Sequence, residues 1–110
     1  MEIELLVVPD CPNEVAAAEL LHAALEDMGL PPTRIRTTVI DTQQEAVARG
    51  FVGSPTIRID GNDPFAQPER APAVACRVYA TPSGFAGIPP RTKLGSALKR
   101  AAEQTDPDSR

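Results

Sequence analysis

The chain opens with a short run of branched and apolar residues, Ile3 to Val8, which stops at Pro9. Such a run before a breaker is typical of a strand buried on both faces. Apolar residues then recur at three- and four-residue steps, which predicts an amphipathic helix starting near Cys11 or Pro12 and ending at Gly29. Its inward positions are Ala17, Ala18, Leu21, Leu25 and Met28.

The next stretch predicts a second strand and a second helix. Residues 34–40 are β-branched at most positions, and a strand here should run parallel to the first because a helix separates the two. Thr42 and Glu45 have the spacing of a capping box, in which each side chain satisfies a backbone N–H at the start of a helix. We therefore expect a short helix that stops at Gly50.

The second half of the chain predicts a hairpin and a last helix. Residues 56–60 alternate polar and apolar side chains, and Gly61-Asn62 predicts a turn. The returning antiparallel strand is expected at residues 75–79. A last amphipathic helix is predicted over residues 91–103.

Two proline-containing loops, residues 63–73 and 81–90, complete this half. The resulting order is β-α-β-α-β-β-α, an α/β fold with a mixed four-stranded sheet and helices on both sides. The length fits one domain, residues 1–103, followed by a flexible tail at residues 104–110.

Composition and charge narrow the function classes. A net charge of −4 argues against a nucleic-acid partner, which normally meets a basic face. No apolar stretch approaches the ~20 residues that span a bilayer, so no membrane partner is expected. The N-terminus lacks the pattern of a signal peptide. We expect a cytoplasmic protein, where two cysteines are more readily thiols than a structural disulfide.

Cys11 is the main candidate for chemistry. A thiol reacts as its thiolate, and a helix N-terminus stabilises that anion through free N–H groups and the helix dipole. Asp10 and Glu14 oppose it, because like charges repel. Glu14 has two interpretations, as a base that modulates the thiol or as a carboxylate that caps the helix.

These residues resemble the thioredoxin-like superfamily from Glu2 to about Ala102. The matching motifs are Cys11-Pro12-Asn13-Glu14, in the place of Cys-x-x-Cys, and Gly53-Ser54-Pro55-Thr56, in the place of a cis-proline loop. The resemblance implies a cis-proline beside the active-site cysteine and a backbone edge that pairs with substrate. It assigns catalysis to Cys11 and Glu14, and substrate binding to Pro12, Ser54, Pro55 and Thr56.

A closer resemblance is to small bacterial thioredoxin-like proteins labelled alkylmercury lyase-like. The shared features are Cys11-Pro12-Asn13, the Gly53 to Arg58 segment, the Cys76 to Tyr79 segment and Gly87 to Pro89. Glu14 stands where the second cysteine of a dithiol would be. The resemblance therefore implies a redox protein with one active-site thiol, and classical disulfide reductase activity is not expected.

Cys76 is the candidate second thiol. Each strand residue advances ~3.3 Å, so Cys76 is expected ~10 Å short of the Cys11 site, and a small buried residue is the simpler interpretation. Arg58, Arg70 and Arg77 are expected to be solvated. His22 is the only histidine and lies about three turns from Cys11, so neither a Cys-His pair nor a zinc site is expected.

The leading hypothesis is a monothiol redox protein in which Cys11 attacks a disulfide or peroxide. A low-molecular-weight thiol or a protein disulfide partner would then resolve the product, and no cofactor is expected. Two alternatives remain open. One is a non-enzymatic binding protein that keeps the fold, and the other is thiol-based handling of organomercurial or soft-metal species.

Overall fold

Strand β1 (Ile3–Val7) is the centre of a three-stranded sheet ordered β2-β1-β3. The structure is a computed structural model and describes residues 1–104. β2 (Ile35–Val39) pairs parallel with β1, as predicted for strands joined through helix α1 (Glu14–Asp27). β3 (Thr56–Ile59) pairs antiparallel on the other side. The predicted mixed α/β class is confirmed.

The two faces of β1 bury separate apolar clusters, because successive strand residues point to opposite sides. Ile3, Leu5 and Val7 pack with α1, β3 and helix α3 (Arg91–Gln104). Leu6 points the other way and packs with a second cluster, Ile40, Ala46 and Phe51. Ala46 belongs to helix α2 (Gln43–Arg49), so helices cover both faces of the sheet.

The predicted N-cap of α2 at Thr42 is confirmed, while the Glu45 side chain reaches one residue further back than a standard capping box. The backbone N–H of Glu45 donates to Thr42 Oγ1 at 3.1 Å, and the Glu45 carboxylate accepts from the Asp41 N–H at 3.3 Å. Gly50 closes the helix in the left-handed conformation, φ 62°, which glycine adopts without a Cβ penalty. Local sequence therefore sets both ends of this short helix.

The prediction of a four-stranded sheet is wrong. No strand between residues 75 and 79 returns along β3. Instead β4 (Tyr79–Thr81) pairs antiparallel with β5 (Gly84–Ala86) in a separate two-stranded sheet. The segment predicted as a loop at residues 81–90 thus contains a strand.

The turn after β3 explains this difference. The turn predicted at Gly61-Asn62 forms one residue earlier, at Asp60 and Gly61 with φ of 51° and 84°, and the return makes only one bridge, between Ile59 and Asn62. Pro64 follows almost at once, and a proline has no N–H to continue a ladder. The chain therefore leaves the sheet edge instead of completing a hairpin along β3.

The helix ends also differ from prediction. α1 begins at Glu14, so Cys11 and Pro12 lie in a turn before the helix. α3 extends through Gln104, one residue past its predicted end, and the remainder of the predicted tail, residues 105–110, lies outside the described residues. Along residues 1–104, no helix combines the length and the apolar character needed to cross a bilayer.

Candidate functional site

The Cys11 turn lies at the carboxyl end of β1. Asp10 holds a left-handed φ of 58°, which aspartate tolerates better than most residues. The carbonyl of Cys11 then accepts from the Glu14 N–H at 3.3 Å, which leads into α1. Cys11 is a free, half-buried cysteine that packs against the apolar cluster shared by β1, α1 and α3. Pro12 beside it is exposed.

Glu14 does not form the helix cap that was one of its two predicted roles. Glu14 is the first residue of α1 and not the third, so its carboxylate is not placed for the reciprocal bond of a capping box. Asn13 occupies the N-cap position but makes no side-chain capping bond. The acidic side chain of Glu14 still lies in the first turn, where the helix dipole favours negative charge.

The loop after β5 packs directly on the Cys11 turn. A Cβ placed on Gly87 would lie only 2.4 Å from Asn13 Nδ2 and 2.9 Å from its Cγ. A side chain at this position would displace the Asn13 amide, so glycine lets the loop approach this closely without moving it. Ile88, the next residue, packs against the same apolar cluster as Cys11.

The Ser54–Pro55 peptide bond is cis, as the resemblance implies. It lies at the same end of the sheet as Cys11, because β1 and β3 are antiparallel with Leu6 opposite Thr56. Ser54 Oγ accepts from the Val8 N–H at 3.0 Å. Ser54 therefore lies opposite Val8, two residues beyond the Leu6–Thr56 pair. Ser54, Pro55 and Thr56 are all buried.

Cys76 lies beside Ser54 and is exposed, so the prediction that it is a buried residue is wrong. The Ser54 N–H donates to the Ala75 carbonyl at 2.8 Å, and the Arg77 N–H donates to the Ser54 carbonyl at 3.0 Å. These bonds form a parallel bridge between Ser54 and Cys76. Because neighbouring extended residues point to opposite sides, Arg77 turns inward and Cys76 is exposed.

Arg77 is buried, against the prediction that it is solvated. Its Nη1 donates to Asp63 Oδ2 at 2.8 Å and to Thr56 Oγ1 at 3.1 Å, and its Nη2 donates to the Phe65 carbonyl. The guanidinium also lies 4.5 Å from the centroid of the Tyr79 ring. These contacts connect the Cys76 segment to the interior of the protein.

Tyr79 links this cluster to the cis peptide. Its hydroxyl donates to the Pro55 carbonyl, and its ring packs edge-on against Phe65 with centroids 5.5 Å apart. Burial raises the pKa of Tyr79 well above its ordinary value of 10.0, and the negative charge of Asp63 adds to that rise while Arg77 opposes it. The neutral phenol is therefore the form that the fold stabilises.

A second charged cluster surrounds Glu4 of β1. Glu4 accepts from Thr38 Oγ1 at 2.7 Å and from Arg49 Nη2 at 2.8 Å. Burial alone would raise the pKa of Glu4, but these hydrogen bonds and the charges of Arg49 and Arg36 lower it below 4.5 overall. The cluster joins β1, β2 and α2 and takes no part in the thiol site.

The structure thus brings together, at one end of the sheet, residues that the sequence assigns to the site from three separate segments. Several surface grooves lie away from this end of the sheet. One of about 580 Å³ is at the opposite end of the sheet and includes Ile3 and Arg34. Within the described ranges, no group of three or more His, Cys, Asp or Glu residues is arranged as metal ligands.

Sequence reasoning missed three residues that hold this end of the sheet together: Asp63, Arg77 and Tyr79. Their roles depend on partners 12 to 24 residues away along the chain. One usable signal was that successive side chains of an extended segment point to opposite sides. If Arg77 points into the protein, Cys76 must point to the surface.

Comparison with family models, with curated proteins and with solved structures finds no match for this chain.

Proposed function

We propose that this chain is a thioredoxin-like redox protein in which Cys11 reacts with a disulfide or a peroxide. The observation that carries the proposal is the shared end of the sheet, where the half-buried thiol of Cys11 follows β1 and the cis Ser54–Pro55 bond precedes β3. The strand and helix order through β3, with β1 parallel to β2 and antiparallel to β3, agrees with that fold.

In the first form of the proposed reaction, a low-molecular-weight disulfide oxidises Cys11. The Cys11 thiolate attacks one sulfur of R–S–S–R, a mixed disulfide forms on Cys11, and R–S⁻ leaves. A second low-molecular-weight thiolate, R′–S⁻, attacks the R sulfur of the mixed disulfide, which restores the Cys11 thiolate and releases R–S–S–R′. With a peroxide, Cys11 attacks one oxygen, an alcohol or water leaves, and Cys11 becomes a sulfenic acid.

Small reactants fit this site better than an extended protein substrate. The backbone N–H and carbonyl of Ser54 already bond to Ala75 and Arg77, so the edge that would otherwise pair with a peptide is occupied by the chain itself. Asp10 and Pro12, which flank Cys11, are exposed, and so is Cys76 beside Ser54. We therefore propose a low-molecular-weight disulfide or peroxide as the reactant and a low-molecular-weight thiol as the reductant.

Glu14 is proposed to modulate Cys11. Its N–H bonds to the Cys11 carbonyl, and its carboxylate belongs to the helix turn that follows the cysteine. A negative charge here repels an anionic reactant such as oxidised glutathione. Glu14→Gln should therefore react faster at Cys11 than the parent at neutral pH, whereas an unchanged rate would remove Glu14 from the site.

The test of the proposed function uses oxidised glutathione and the Cys76→Ser variant, in which Cys11 is the only thiol. We expect a glutathione adduct on Cys11, formed faster than on a free cysteine and removed by reduced glutathione. The control is Cys11→Ser/Cys76→Ser, which has no thiol. A Cys11 that reacts more slowly than free cysteine would refute the redox proposal and favour a binding protein.

A further inference from the structure

Cys76 is exposed and lies beside Ser54, at the same end of the sheet as Cys11. We propose that Cys76 resolves the oxidised form of Cys11 within the same chain, so that the stable oxidised product is a Cys11–Cys76 disulfide. This inference rests on the proposed function, since it requires Cys11 to react first.

The sheet register supports the pairing. Val8, Ser54 and Cys76 lie in one row, because Ser54 Oγ bonds to the Val8 N–H and the Ser54 backbone bonds on both sides of Cys76. Neighbouring strands are ~4.8 Å apart, so Val8 and Cys76 are separated by about 10 Å. Cys11 is three residues beyond Val8, and three residues reach at most ~10 Å. The loop after β1 is therefore long enough to bring one thiol to the other.

The two thiols differ in how they are held. Cys76 is exposed, yet Arg77 fixes its backbone through the bond to Ser54 and through a buried guanidinium bound to Asp63. Cys11 lies in a turn outside any helix or strand, after a left-handed Asp10. An exposed thiol on a fixed segment at the same end of the sheet as Cys11 has a higher effective concentration near Cys11 than a thiol in solution. An internal thiol can therefore compete with an external one.

The proposed step balances with a low-molecular-weight disulfide as the oxidant. Cys11 first forms the mixed disulfide Cys11–S–S–R and releases R–S⁻. The Cys76 thiol loses its proton to solvent, and its thiolate attacks the Cys11 sulfur. The Cys11–Cys76 bond forms, the bond to R breaks, and a second R–S⁻ leaves. Two protein thiols are oxidised, and one R–S–S–R is reduced to two R–SH.

The experiment treats the full chain, Cys76→Ser and Cys11→Ser with oxidised glutathione. Free thiols are alkylated, and intact mass and peptide mapping follow without reduction. The parent should lose two hydrogen atoms and yield one peptide pair linked through Cys11 and Cys76. Cys76→Ser should stop at the glutathione adduct on Cys11. Formation of the linked pair should be faster in the folded protein than in urea.

Other outcomes separate the two proposals. A parent chain that accumulates the Cys11 adduct while Cys76 remains open to alkylation overturns this inference and leaves the proposed function intact. Chains linked to each other through Cys76 also overturn it. If neither cysteine is oxidised, the proposed function and this inference both fail.

Discussion

Removal of the Arg77 guanidinium should destabilise the protein more than any change at an exposed charge. The side chain is fully buried and donates to Asp63, Thr56 and the Phe65 carbonyl, and the Asp63 side chain is only 16% exposed. Arg77→Met would leave that carboxylate without its partner in a poorly solvated place. Breaking a buried ion pair from one side typically costs about 3–5 kcal/mol.

The size of this effect is set by two opposing contributions. The contact of the guanidinium with the Tyr79 ring, 4.5 Å from its centroid, adds to the loss on removal. Arg77 Nε is buried without a hydrogen-bond partner, and removing that unsatisfied donor returns part of the loss. We therefore expect about 3 kcal/mol, a large share of the ~5–15 kcal/mol that stabilises a typical domain.

The assay is urea unfolding followed by circular dichroism and by the fluorescence of Tyr79, the only tyrosine in a chain without tryptophan. With a slope near ~2 kcal/mol per M, the midpoint should fall by about 1.5 M. Arg77→Lys keeps the charge but loses the fork that reaches several acceptors, so it should lie between the parent and Arg77→Met.

A double-mutant cycle with Asp63→Asn decides whether the pair explains the loss. In the parent, Asp63→Asn should be destabilising, whereas in the Arg77→Met background it should recover part of the lost stability. Purely additive effects, or a midpoint shift below about 0.5 M for Arg77→Met, would refute the reasoning.

The remaining predictions concern a close contact and two titrating groups. Gly53 has φ 146° and a Cβ there would lie 2.8 Å from Arg77 Cβ, so Gly53→Ala should cost about 1–3 kcal/mol more in urea unfolding than Gly61→Ala, which has positive φ but open space around it; equal losses would contradict the contact. The pKa of the Glu4 carboxyl is lower in the folded protein than in the unfolded chain. The stability that this carboxylate contributes is therefore present above pH 4.5 and is lost as pH falls below it. In Glu4→Gln, the melting temperature should fall less steeply as the pH is lowered. An unchanged decline would show that the Glu4 carboxylate is not a source of the acid sensitivity. The pKa of the Tyr79 phenol is higher in the folded protein than in the unfolded chain. The stability that this phenol contributes is therefore present below pH 10.0 and is lost as pH rises above it. Tyr79→Phe should be less stable than the parent by about 1–2 kcal/mol at neutral pH, because the Pro55 carbonyl loses its donor, yet should lose less on going to alkaline pH; a parallel alkaline decline would argue against the buried phenol.

The first half of the fold could be predicted because its signals are local. The apolar run of β1, the three- and four-residue steps of α1 and the Thr42 N-cap each lie within one element. The cis-proline segment and Cys11 were recognised as motifs. Their meeting at one end of the sheet follows from the antiparallel pairing of β1 and β3.

The second half could not be predicted in the same way, because long-range contacts decide it. Arg77 is buried only because Asp63, Thr56 and the Phe65 carbonyl converge on it from other segments. With Arg77 pointing inward, Cys76 lies on the surface beside Ser54. β4 and β5 are three residues each, too short for an alternation pattern to distinguish from a loop.

The most direct test of the account is the distance of Cys11 from the cis-proline end of the sheet. A nitroxide label attached to Cys11 in the Cys76→Ser variant should broaden the amide NMR signals of Ser54, Arg77 and Gly87, and should leave those of Arg34 and Arg36, at the opposite end, nearly unchanged. Strong broadening at residues 34–36 with sharp signals at Ser54 and Arg77 would contradict it.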